Sequence, residues 1–166
     1  MSRAVLSLGS NEGGRRAHLQ SAIDALGDLV RVVSSLYETP PWGPVPQPDY
    51  YNLVLVAEDN GRTARAWLDR CRELEQAAGR DRSPSAVRWG PRTLDADVVT
   101  VEVHRSPIRS SDPELILPHP RAAERAFVLL PWAEIDPTAE IPGVGAVADL
   151  LEQLDTSGIR RVGHVR

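Results

Sequence analysis

Residues 39–49 read TPPWGPVPQPD, and five of these eleven residues are proline. Each proline fixes its own φ and lacks an N–H, so the stretch can form neither a helix interior nor a central strand. It must run as a stiff surface loop, and it sets the ends of what lies on either side. Before it, RVVSSLYE (31–38) is rich in β-branched and aromatic residues and predicts a strand. After it, YNLVLVAE (51–58) predicts another.

The remaining periodicities fill in the order. RAVLSLG (3–9) alternates as a strand, and SNEGG then marks a turn and helix start. Leu19, Ala22, Ile23, Leu26 and Val30 recur at helical spacing, predicting a helix over 14–28. Thr63 can cap a second helix over 64–78, with Ala64, Trp67, Leu68, Cys71, Leu74 and Ala78 as its apolar stripe. A loop with Gly79, Pro84, Gly90 and Pro91 leads to LDADVVTV (94–101), a fourth strand. Beyond it the signals weaken to an extended piece near 107–109, a turn before Pro118, and short helices near 121–134 and 146–154. The last ten residues, SGIRRVGHVR, are expected to be poorly ordered. The first 100 residues thus read βαββαβ, which predicts an α+β, ferredoxin-like core. That core is an antiparallel sheet with helices packed on one face, followed by C-terminal helical additions. A chain of 166 residues suits a single domain, 1–166. The fold hosts enzymes, RNA binders and metal carriers, so function must be read from sites.

Composition narrows the chemistry. The chain has no lysine; all 19 basic residues are arginine. Phosphate chemistry built on a P-loop lysine or a kinase strand lysine is therefore excluded, and so is Schiff-base chemistry. The net charge of −4 and a first strand without aromatic residues argue against an RNA-binding module. The single cysteine, Cys71, cannot form an internal disulfide, and its place on the apolar stripe makes it a core residue. With no export signal and no apolar run long enough to cross a bilayer, a cytoplasmic location without membrane attachment is expected.

Asp95 and Asp97 stand two apart on a strand and so share a face, with Leu94, Ala96 and Val98 on the other. At ~6–7 Å such a pair repels by roughly 2–3 kcal/mol at an effective dielectric of 20. A wet strand face tolerates that repulsion; a cleft needs a cation, and hard oxygen ligands suit magnesium. Spacing alone favours the wet face. Arg80, Arg82, Arg88 and Arg92, with Trp89 among them, shift the balance, because guanidinium forks match phosphate oxygens and the indole offers a stacking face. A site for phosphoryl transfer and an exposed loop of arginines balancing nearby acids both remain open on composition. So do nucleotidyl transfer and another ATP-dependent kinase reaction.

The segment RWGPRTLDAD (88–97) closely resembles the signature of the 6-hydroxymethyl-7,8-dihydropterin pyrophosphokinase family, R-W-G-P-R-x-[LI]-D-[LI]-D. Ala96 occupies a position that is usually a larger aliphatic residue. GSN (9–11), TPPWGP (39–44), QPDYYN (47–52), Glu75 with Gly79–Arg80, and LPHPRAAERAF (117–127) also follow the family's order, so the resemblance covers nearly the whole chain. It implies transfer of pyrophosphate from ATP to the pterin hydroxymethyl group, with release of AMP, in folate biosynthesis. It implies two Mg2+ ions on Asp95 and Asp97, with Arg80 and Arg92 as catalytic phosphate contacts. Glu75, Arg82, Trp89, Arg92, His119 and Arg125 would bind ATP. Thr39, Trp42, Tyr50, Asn52 and Phe127 would bind the pterin, with Tyr50 and Phe127 sandwiching the ring. Taken singly, Glu75 also reads as a surface-edge residue, His119 as a turn histidine and Phe127 as core. The resemblance further implies small-molecule substrates, no nucleic-acid partner and a monomer. SPSAV (83–87) is longer than in some relatives; Glu114 replaces a basic residue of some members, and Pro120 an aromatic one.

Overall fold

In the computed structural model, which describes residues 1–165, the elements run β1 (Ser2–Ser10), α1 (Arg15–Leu26), β2 (Val30–Val33), β3 (Leu36–Thr39), β4 (Tyr50–Asp59), α2 (Ala64–Ala77) and β5 (Asp95–Val103). Then come β6 (Ser106–Pro107), the hairpin β7 (Ser110–Asp112) and β8 (Leu115–Leu117), α3 (Ala126–Ile135), the ribbon β9 (Glu140–Ile141) and β10 (Gly145–Ala146), α4 (Val147–Glu152) and β11 (Arg160–Gly163). The main sheet has the order β11-β3-β4-β1-β5-β6, with β2 also paired to β4, and every pair is antiparallel. Its middle, β3-β4-β1-β5, is the strand order of the ferredoxin-like plan.

The first two helices cover one face. α1 turns Leu19, Ala22, Ile23 and Leu26 inward, and α2 does the same with Trp67, Cys71 and Leu74. Thr63 Oγ1 caps α2 by accepting the Ala66 N–H at 3.1 Å. These residues meet Leu6 and Leu8 of β1, Leu53 and Leu55 of β4, and Ala96 and Val98 of β5.

The two helices of the core thus lie on one face as expected; the C-terminal additions, whose place was not specified, cover the other. Val5, Val54, Val56 and Val99 point the other way and are covered by α3 and α4 through Val128, Leu129, Trp132 and Val147. The central strands are therefore buried on both sides: Leu53 to Ala57 are at most 2% exposed without interruption. In β5 the register slips opposite Val5 and Leu6, so Val99 bulges between Val98 and Thr100 and enters the second core.

Two expectations change. The strand predicted over 31–38 divides at Ser34 and Ser35, both buried. Ser34 Oγ accepts the Val54 N–H, while the Ser35 N–H and hydroxyl turn to the Glu134 carboxylate of α3 at 2.8 and 2.7 Å. Residues 157–165, expected to lack order, carry β11, which pairs with β3 and is clipped by an Arg160–Glu38 ion pair of 2.5 Å. The same expectation for Arg166 lies outside the described residues.

Candidate active site

Three loop-proximal strand ends meet at one edge of the second face. Gly9 of β1 lies in register between Asn52 of β4 and Asp95 of β5. A Cβ at Gly9 would collide with Asn52 Oδ1, so only glycine lets these side chains close over the strand. Asn52 Nδ2 donates to Thr39 Oγ1 at 2.6 Å, and both residues are buried. That bond leaves the Asn52 carbonyl and one N–H for a ligand.

An open cleft of about 460 Å³ lies over this row. Thr39, Trp42, Tyr50, Asn52 and Phe127 line it, joined by Trp89, Arg92, Asp95 and Arg125. The pterin-binding set predicted above is therefore gathered in one place. Phe127 comes from the first turn of α3 and is half-buried at the cleft rather than sunk in the core. Burial raises the Tyr50 pKa. A second cleft, of about 530 Å³, opens beside the first and is lined by Asp97, His119, Pro120, Leu68 and the β7–β8 hairpin with Glu114. Asp95 thus faces one cleft and Asp97 the other.

The carboxylate pair is wrapped in arginine. Asp95 Oδ1 accepts from Arg80 Nη1 at 2.9 Å and from Arg92 Nη1 at 2.8 Å. Asp97 Oδ2 lies 3.5 Å from Arg125 Nη1 and 3.9 Å from His119 Nε2. Burial, then the charge of Asp95, push the Asp97 carboxyl up to about 7 against the pull of Arg125. Desolvation is also the first cause of the lowered Arg125 pKa, and the Arg125 Nε is buried without a partner. His119 is driven down to about 4 by burial and by Arg125, so it is neutral at pH 7. Its Nδ1 accepts the Arg121 N–H at 3.2 Å, which places the ring proton on Nε2, toward Asp97.

Glu75 is not a surface-edge residue: it is 3% exposed and turned inward from α2. Its Oε1 accepts from Arg80 at 2.6 Å and from the Ala96 N–H at 2.9 Å, and its Oε2 accepts from Arg82. It therefore pins the backbone between Asp95 and Asp97 and aims Arg80 at the pair. Arg82 is otherwise exposed on the loop. Cys71 is buried and its thiol is pushed far up by desolvation, which suits a core residue and not a nucleophile.

Asn11 and Gln47 carry weight that sequence reading did not assign them. The Asn11 N–H and Oδ1 bond the backbone of Arg92, and its Nδ2 donates to Gln47 Oε1 and Pro48 O at 2.9 Å. Gln47 Nε2 donates to Trp89 O at 2.6 Å. Their signal was the pair of short segments GSN and QPDYYN, whose polar residues no strand or helix pattern required. Arg88 stands apart from the pair and stacks on Trp89, 5.5 Å from its ring centre.

Paired carboxylates between two clefts, ringed by arginines and faced by flat aromatic walls, have the chemistry to hold phosphate beside a planar ligand. Comparison with known proteins specifies the class. The family model for 7,8-dihydro-6-hydroxymethylpterin-pyrophosphokinase (HPPK) matches residues 5–137, and the chain belongs to this family. The chain is 44% identical over 163 residues to the 2-amino-4-hydroxy-6-hydroxymethyldihydropteridine pyrophosphokinase of Mycobacterium tuberculosis H37Rv, covering 93% of this chain and 85% of that one. It is 44% identical to the enzyme of the same name from Methylorubrum extorquens (98% and 99% covered) and 37% identical to that of Bacillus subtilis (88% and 85%). Among solved structures it resembles an HPPK-DHPS in complex with substrates, with a TM-score of 0.69 at 10% identity, covering 96% of this chain and 46% of that one. Wild-type Plasmodium falciparum HPPK-DHPS gives 0.64 at 13% identity, with 92% and 44% covered. The chain spans a little under half of each of these solved chains, and at such identities the likeness shows the fold.

Proposed function

We propose that the cleft faced by Asp95 takes 6-hydroxymethyl-7,8-dihydropterin, that the cleft faced by Asp97 takes ATP, and that the pyrophosphoryl group crosses between them. The products are the pterin diphosphate and AMP, in folate biosynthesis. Family membership supports the reaction; the observation that carries its placement is that the two carboxylates open onto two different clefts.

The pterin ring lies between Tyr50 and Phe127, roofed by Trp42, with its amide-like edge on Asn52 and Thr39. That pose points the hydroxymethyl oxygen toward Asp95. This oxygen attacks the β-phosphorus, and the bond from that phosphorus to the oxygen of AMP breaks. Arg80 and Arg92, already gathered at Asp95, have further N–H donors for the charge in transit. The neutral His119 presents a donor on the ATP side, Arg125 reaches Asp97 from the first cleft, and Arg82 and Trp89 belong to the 80–92 loop that shuts out water. Glu75 acts on the nucleotide through the two arginines it holds.

The donor set fits magnesium. Among the described residues no three His, Cys, Asp or Glu side chains gather into a metal cluster. Asp95 and Asp97 thus offer hard oxygens and leave the other coordination positions to water and phosphate, which magnesium favours. Two magnesium ions held by this pair would neutralise triphosphate charge and polarise the attacked phosphorus. No helix among the described residues is long and apolar enough to cross a membrane. The same reading has the chain act as a cytoplasmic monomer on small molecules, not on nucleic acid.

Asp95→Ala and Asp97→Ala test the reading. Each should lower turnover by roughly 100- to 1000-fold, as loss of a group acting on the transition state does, with circular dichroism unchanged. Pterin binding, measured by fluorescence, should persist in both. An Asp97→Ala enzyme with a near-normal rate would remove the pair from the chemistry.

A further inference from the structure

Arg121 lies on the turn that leads into α3, and its charge is spent in an unusual way. Its guanidinium forms no hydrogen bond or ion pair with any described residue. It lies instead 5.4 Å from the ring centre of Trp42 and 4.9 Å from that of Trp89. The two rings are themselves 6.2 Å apart and tilted by 59°. A cation over two aromatic faces is attracted to both.

These tryptophans come from separate segments, Trp42 from the proline loop and Trp89 from the loop before β5, and together they wall the aromatic cleft. Trp89 holds a left-handed backbone, φ 64°, which a bulky residue adopts only when its surroundings enforce it. Gln47 secures the Trp89 carbonyl. Arg88 also stacks on Trp89, at 5.5 Å, and Arg125 on Trp42, at 4.9 Å, but among the described residues Arg121 is the cation set over both rings. The backbone N–H of the same residue holds His119 Nδ1, beside Asp97. One residue therefore touches the roof of the first cleft and the wall of the second.

We propose that Arg121 is a positioning residue that clamps Trp42 to Trp89 and so fixes the roof of the pterin cleft. This rests on the two-substrate reading above. The clamp acts on the ring-binding wall and not on the reacting atoms, so it belongs to substrate affinity.

Arg121→Gln removes the cation while the backbone N–H stays. Trp67 and Trp132 are at most 3% exposed, so acrylamide quenching of intrinsic fluorescence reports on Trp42 and Trp89. Without substrate, quenching should rise in Arg121→Gln and fall back at least halfway in Arg121→Lys. In steady state the KM for the pterin should rise about tenfold, equivalent to about 1.4 kcal/mol, with kcat within about twofold. Unchanged quenching together with an unchanged KM for the pterin would overturn the clamp. So would a fall in kcat at constant KM, which would place Arg121 on the phosphates instead. Should the wild-type chain fail to turn the pterin over, the two-substrate reading is lost, while the quenching contrast still decides the clamp.

Discussion

Asp97 sits where burial and the neighbouring Asp95 raise its pKa to about 7, even though Arg125 and Arg92 pull it down. A carboxyl with a raised folded pKa holds a proton that the unfolded chain has already released. Its contribution to stability is complete below pH ~4 and is lost as pH rises through about 7. Charged Asp97 is thus a burden on the metal-free fold, one that its proposed role as a magnesium ligand would entail. Asp97→Asn should therefore make the metal-free protein more stable than wild type at pH 8, by about 2 kcal/mol after allowing for its partly exposed carboxylate, and by about a third of that at pH 5. Urea titrations at the two pH values measure this, and an equal effect at both would show that Asp97 is not desolvated. The D-x-D spacing alone showed that Asp95 and Asp97 share a face. It did not show that the face is a cleft, because that depends on Arg125 and His119, which arrive from 22 or more positions further along the chain.

Helix α3 carries Phe127 and Arg125 at its leading end and is anchored at its far end by Glu134. That carboxylate accepts from the Ser35 N–H, the Ser35 hydroxyl and the Tyr37 hydroxyl, the last at 3.0 Å. Burial first, and then Glu134, push the Tyr37 pKa up to about 12, so the phenol stays a donor throughout the physiological range. Glu134→Ala strands a buried N–H and two hydroxyls and should cost about 2–3 kcal/mol in chemical denaturation. It should also raise the KM for the pterin, since α3 positions Phe127. A loss under about 0.5 kcal/mol would mean that α3 is seated by apolar packing alone. This latch was invisible in sequence. SS within RVVSSLYE reads as two polar residues in a strand, and its real partner is 99 positions away. The helices α1 and α2 were legible almost to the residue, because their stripes and the Thr63 cap are local signals.

The molecule as a whole places a helix layer on each side of one antiparallel sheet, and the site occupies the strand ends on the α3 side. The ferredoxin-like core followed from the order of helical and alternating segments. The second layer did not, although LVLVA (53–57) is an uninterrupted apolar run, the mark of a strand covered on both faces: the run shows that both faces are covered, but not which later segments cover the second. The second cleft depends on that layer: the turn entering α3 brings His119 and Arg125 to Asp97. Two clefts meeting at one carboxylate pair are what a transfer between two bound substrates requires, and identifying the nucleotide product tests that most directly. The chain is incubated with ATP, Mg2+ and 6-hydroxymethyl-7,8-dihydropterin, and the nucleotides are resolved by chromatography. AMP should form in step with pterin diphosphate, and only when both the pterin and Mg2+ are present. ADP as the product, or AMP released equally fast without the pterin, would contradict the account.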